Sequence, residues 1–138
     1  MKSFIEYICE SHPMYSMDFN KFDQSDKGWR SLPEKEQSKV ISGYIKKNRK
    51  NLKPEHLSVL HWHLGQSHAF QGNNKMAIRH MEKSRSDDDQ WNRYVDASIA
   101  HIKKDRKAFD RHSSGENFNR ETLDRLDKNF NKPYREAY

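Results

Sequence analysis

Cysteine is nearly missing from this chain: Cys9 is the only one among 138 residues. An internal disulfide is therefore excluded, which fits a reducing compartment. Cys9 lies in the apolar run Phe4-Ile5-Glu6-Tyr7-Ile8-Cys9 and is expected to be a buried, inert thiol. Long apolar runs are missing too. No stretch approaches the ~18 consecutive apolar residues of a membrane span. Glu6 and Glu10 interrupt what would be the apolar region of a signal peptide, so the expected location is cytoplasmic, with no membrane partner. Aliphatic residues are scarce as well: Leu, Ile, Val and Phe together make 24 of 138 residues. Such a share would point to disorder if net charge were high. It is only +6, and aromatics make up 12% of the chain, supplying burial area that a count of aliphatics misses.

What is present is helical spacing. The length fits one domain over 1–138. Residues 1–10 are expected to form a short helix. Residues 11–31 look irregular, yet carry Met14, Tyr15, Met17, Phe19, Phe22 and Trp29, so the 1–31 region is expected to lie across the helical body. A helix occupies 32–53. Ser31 caps it, Pro33 suits its first turn, and Glu34 and Glu36 suit the positive end of its dipole. Val40, Ile41, Tyr44 and Ile45 form its apolar stripe, and Lys46 to Lys50 close it. Pro54 opens a helix with two apolar faces, one through Leu57, Leu60, Leu64 and His68, the other through Val59, Trp62, Gln66 and Phe70. Gly72 ends it and Asn73 caps a shorter helix with Ala77, Met81 and Ser84 inside. Asp87-Asp88-Asp89 starts a third long helix carrying Trp91, Val95, Ile99 and Ile102. Asp105 caps a partner with Ala108, Phe109 and His112. A last helix and tail fill 116–138, with Leu123, Leu126 and Phe130 aligned and Pro133 stopping the helix. No run alternates as a strand does.

The segment Trp62–Ser84 resembles the tetratricopeptide repeat. Leu64-Gly65 matches the family's Leu-Gly pair, Gly72 its turn glycine and Ala77 its small crossing residue. His68 stands where the family prefers Tyr, Met81 at the usual aromatic, and Ser84 at the second alanine. Trp62 comes one position late, and Asp89 replaces a common Pro. A weaker copy follows at an offset of 32, with Ala97 under Gly65, Asp105 under Asn73 and Phe109 under Ala77. The resemblance implies an all-α fold of antiparallel hairpins over 57–112, about two repeats, with extra N- and C-terminal capping helices. Tyr94–Ala100, Lys104-Asp105-Arg106 and the closing Pro133–Tyr138 also resemble a group of small bacterial proteins of unassigned function.

Catalytic and metal chemistry find little support. His56, His61, His63, His68 and His80 cluster around the repeat, but with no His-x-x-x-His pair and no nearby cysteine. His68 is read as a core residue. Cys9 has no flanking nucleophile motif. Three consecutive carboxylates, Asp87 to Asp89, point apart on one turn and act as a cap. The expectation is no enzyme, no metal and no cofactor. The basic runs 46–53 and 103–107 have no interleaved aromatics for base stacking, so nucleic-acid contact is expected to be weak and non-specific. By the resemblance, the concave side carries Val59, Trp62, His63, Gln66 and Phe70, joined by Tyr94, Ser98 and His101. Trp62 and Gln66 replace the Lys and Asn of the family's carboxylate-binding variant, so capture of an acidic C-terminus is not implied. The functional expectation is a non-enzymatic protein-interaction module using that aromatic groove, with a protein or peptide partner or a second copy of itself. The alternative is a small basic nucleic-acid-associated protein. Two fillers from within compete with a partner for the groove: the aromatic segment 14–29 and the C-terminal helix.

Overall fold

A computed structural model describes residues 12–138, all helix and connecting turn, with no strand among the described residues. The helix expected over 1–10, and Cys9 with it, lie outside the described residues. Among the described residues eight α-helices follow one another: α1 Phe19–Gln24, α2 Glu34–Asn48, α3 Pro54–Phe70, α4 Asn74–Lys83, α5 Asp89–Lys103, α6 Arg106–Ser113, α7 Arg120–Lys128 and α8 Tyr134–Ala137. Short 3₁₀ turns lie at Pro13–Ser16, Trp29–Ser31 and Arg49–Asn51.

The helix starts follow side-chain chemistry. Asp18, Asp88 and Asp105 accept from the backbone N–H of Lys21, Trp91 and Ala108, so each satisfies one donor that the first turn leaves open. Two expected caps differ. The Ser31 hydroxyl donates back to the Gly28 carbonyl, and α2 begins after Pro33 without a side-chain cap. Asn73 holds the N-cap position of α4, but its amide lies against His68. Gly72 closes α3 in the left-handed conformation at φ 79°, where its N–H reaches Ala69 and the N–H of Asn73 reaches His68.

The α3–α4 pair is antiparallel along its whole length. Ser58 donates to the Ser84 carbonyl at one end, and Asn73 meets His68 at the other. Between them a Cβ added to Gly65 would stand 2.8 Å from Met81 Cγ and 3.0 Å from the Ala77 carbonyl oxygen. The missing side chain is what lets the two backbones approach. Helix α6 folds back on α5 in the same way, through Lys104 in the left-handed region.

The apolar residues divide into two clusters. One joins Tyr15 and Phe22 to Val40, Ile41, Tyr44 and Ile45 of α2 and Leu60 and Leu64 of α3. The other runs from Trp62 and Ala69 of α3 through α4, α5 and α6 to Leu123, Leu126, Phe130, Tyr134 and Ala137. Helix α3 belongs to both, as its two apolar faces anticipate. The described part of the 11–31 stretch, 12–31, lies across α2, as its aromatics require, and is built of short helical turns where its composition reads as irregular. Phe22 stacks on Tyr44 at 3.8 Å, and Tyr44 donates to the Met17 carbonyl. The last aligned helix closes at Lys128 with Asn129 as its C-cap, so Phe130 lies beyond its end and Pro133 does not stop it; Pro133 serves instead as the N-cap of α8, a turn too short for apolar periodicity to register.

Candidate functional site

The eight groove residues fall into three environments. Trp62 and Tyr94 form one knot with Trp91: Trp62 lies 5.1 Å from each of the other two rings. Trp62 and Tyr94 are buried, and Trp91 donates its indole N–H to the Ser84 carbonyl. Burial raises the Tyr94 hydroxyl above its ordinary range, with Tyr138 adding to the shift. Ser98 is fully buried and donates to the Tyr94 carbonyl of its own helix.

Gln66, Phe70 and His101 meet the C-terminal segment. The Gln66 amide donates to the Tyr134 hydroxyl at 3.1 Å. Phe70 lies 5.6 Å from both Tyr134 and Tyr138. His101 has no exposed surface and sits edge-on to Phe130 and Tyr134. Arg135 caps the arrangement by donating to the Phe70 carbonyl and pairing with Glu34. Gln66, Phe70 and His101 are therefore covered by the chain's own C-terminal segment. The 14–29 segment instead packs against α2 and, through Phe19 and Trp29, against His56 and His63 of α3.

His63 belongs to that second neighbourhood. It stands 3.6 Å from Asp23 and 5.0 Å from the Trp29 ring, so it faces the N-terminal segment and not the Trp62 knot. Asp23 is fully buried. Its carboxylate accepts from the Trp29 indole at 2.9 Å, and its backbone carbonyl accepts from Arg30. Burial holds the His63 ring below its usual pKa. Asp23 opposes that shift and Arg30 reinforces it. The node is a polar rivet that ties the 12–31 segment to α3. Val59 is half-buried near the start of α3.

This split explains why face assignment alone misplaced His63. Trp62 and His63 are neighbours in sequence and so stand about 100° apart on the helix, which is enough to send them to different clusters. The buried Asp23 has no signature in the sequence, where it is a lone Asp among polar residues. The remaining histidines are dispersed. His56 stacks on Phe19 at 4.0 Å, while His61, His68 and His80 share the α3–α4 interface. Among the described residues no group of three or more His, Cys, Asp or Glu side chains is placed to hold a metal ion. No described helix is long and apolar enough to cross a membrane.

No protein-family model matches this chain, and no curated protein or solved structure matches it either.

Proposed function

We infer that this chain is a non-enzymatic helical interaction module, with tetratricopeptide-like hairpins whose concave groove receives a short aromatic segment. What supports this reading is the occupant. Helix α8 has four residues, too few to hold a helical conformation alone. It is ordered because Tyr134 and Tyr138 set their rings against Phe70, and because Arg135 reaches both the Phe70 carbonyl and Glu34. The two tyrosines stand at i and i+4, on one face, with the arginine between them. A partner segment carrying the same aromatic pair and a basic residue meets the same groove chemistry. Aromatic anchors and arginine dominate such interfaces.

Competition tests this directly in the full chain. A labelled peptide with the sequence of residues 131–138 is titrated into the wild type, into Arg135→Ala and into Tyr134→Ala. Each variant weakens the resident segment without touching the receiving residues. The expected result is saturable binding to the folded variants, at least tenfold tighter than to the wild type. Donation of the segment by a second copy would appear as a dimer in sizing. Folded variants that bind no peptide would show the groove to be a closed core and would overturn the reading.

A further inference from the structure

Away from the groove, on the side where α2 meets the α3–α4 hairpin, a cleft of about 340 Å³ has an unusual lining. Lys39, Ser42 and Lys46 come from α2, His68 from α3 and His80 from α4. The α2 residues stand at i, i+3 and i+7, which places them along one face over roughly 10 Å. The two lysines therefore flank the serine hydroxyl, and the two imidazoles form the opposite wall. No carboxylate lines the cleft. Among the described residues neither Lys39 nor Lys46 has an ion-pair partner.

The surroundings of the rings are also one-signed. His61 and His80 are stacked, with their Nδ1 atoms 3.1 Å apart, and His68 stacks on His80 at 5.7 Å. The charges that act on His61 are Lys83 and Arg49, and those on His80 are the other two rings, Lys83 and Arg79. Burial, followed by these cations, lowers His61 and His80 to about 4; burial alone lowers His68. The three elements carry Glu34, Glu36, Glu55 and Glu82, but no carboxylate acts on any of the three rings.

Hydrogen bonding sets the direction of the rings' donors. The Asn73 amide nitrogen lies 3.4 Å from His68 Nδ1. With the amide assigned that way it can only donate, so His68 accepts at Nδ1 and carries its proton on Nε2. Between His61 and His80 one Nδ1 donates and the other accepts. When His61 donates, His80 also carries its proton on Nε2. Two N–H donors, two ammonium groups and a hydroxyl then remain without an acceptor among the described residues.

We propose that this cleft binds the phosphoryl group of a small phosphorylated ligand. Lys39 and Lys46 neutralise the dianion, while Ser42, His68 and His80 donate to its oxygens. A tetrahedral dianion uses this donor set, whereas a carboxylate offers one charge and two oxygens in a plane. Burial favours the neutral form of both imidazoles, and at His80 the neighbouring cations add to it. A bound dianion reverses that field, so binding raises the basicity of His68 and His80 and takes up protons.

The probe is methyl phosphate, titrated into the full chain at low ionic strength while the histidine ring signals are followed by NMR. Methyl sulfate and acetate serve as single-charge controls. The expected result is saturable binding in the millimolar range, selective for methyl phosphate, with the titration of His68 and His80 moved upward by about one pH unit or more. Lys39→Gln and Lys46→Gln should each weaken binding at least fivefold. Both lysines are exposed, so the fold and its melting temperature should hold. Absence of saturation, equal binding of methyl sulfate, unmoved histidines, or indifference to both lysine variants overturns the proposal. A single-stranded oligonucleotide that competes as well as methyl phosphate would reassign the cleft to a nucleic-acid backbone and overturn the small-ligand assignment.

Discussion

The two halves of the molecule are held by different means. The N-terminal cluster depends on a segment of short helical turns that is fastened to α2 and α3 by specific polar contacts. These are Asp23 with His63, Tyr44 with the Met17 carbonyl, and Asn48 with the Tyr15 carbonyl, while Asp23 also holds Trp29 and Arg30 within the segment. The C-terminal cluster depends on helices that approach closely at small residues: Gly65 against Ala77 and Met81, then Ala97 and Ala100 within α5. The first strategy is polar and joins residues far apart in the chain, and the second is steric and repetitive. Helix α3 is the element common to both, so the two halves should fail together.

Substitutions on the two sides of α3 test that coupling most severely. Phe22→Ala empties the centre of the N-terminal cluster, and Trp62→Ala empties the aromatic knot of the other. Removal of a buried ring costs about 3–5 kcal/mol. Both variants should lose that much and still unfold in one transition, measured by chemical denaturation with two probes. If Phe22→Ala splits the curve, with the Trp62 knot surviving the first step, the halves are separate cooperative units and the comparison needs redrawing. If Trp62→Ala hardly moves stability, its burial under Trp91 and Tyr94 is not what holds the second cluster.

A change confined to the steric half comes next. Gly65→Leu forces a side chain into a space where even a Cβ would crowd Met81 and the Ala77 carbonyl. Overpacking of this kind costs about 1–3 kcal/mol, and here it should fall near the upper end because one neighbour is backbone. Thermal melting followed by circular dichroism reads the loss. An unchanged melting temperature would mean that the α3–α4 contact relaxes freely and that the glycine is incidental.

Legibility in the sequence follows the same division. The steric half could be read because its signals are periodic: Leu64-Gly65, Gly72, Ala77 and Met81 recur at helical spacing, and Asp88 and Asp105 mark starts that the structure places at the N-cap. The polar half could be read only as far as its aromatics. That 12–31 must lie on the body follows from Phe22 and Trp29, but that Asp23 would be the buried acceptor beneath them does not, since the contact joins residues from separate elements. The groove shows the same limit. Of the eight residues that the resemblance assigns to it, Gln66, Phe70 and His101 meet the C-terminal segment, whereas His63 faces the N-terminal one. The actual occupant, α8, is one helical turn beyond a proline, and a single turn has no periodicity to detect.

The smallest expected effect concerns how each half treats a buried histidine. His63 in the polar half has Asp23 at 3.6 Å, a carboxylate that partly offsets the effect of burial. His101 in the steric half has no such partner. Its Nδ1 is buried without a hydrogen bond, and its Nε2 lies 3.4 Å from the Asn129 carbonyl among Phe109, Phe130 and Tyr134. Burial, with Lys104 adding to it, lowers the ring to about 4, against an ordinary value of 6.5. A histidine depressed in the folded state binds more protons when unfolded, so stability is complete above pH 6.5 and is lost as pH falls from there toward 4. The loss for one such ring is up to about 1.4 kcal/mol per pH unit in that window. His101→Leu removes the titrating group and the unpaired nitrogen while nearly keeping the volume. It should change stability at pH 7 by under about 1 kcal/mol and should flatten the acid limb relative to the wild type. Denaturation curves at pH 7.0, 6.0 and 5.0 for both proteins isolate the difference, since His61 and His80 contribute equally to each. An identical acid limb in the variant would mean that His101 is already free to reach water when protonated. The steric half would then tolerate a buried charge as readily as the polar half, and the contrast between the two strategies would not extend to titratable groups.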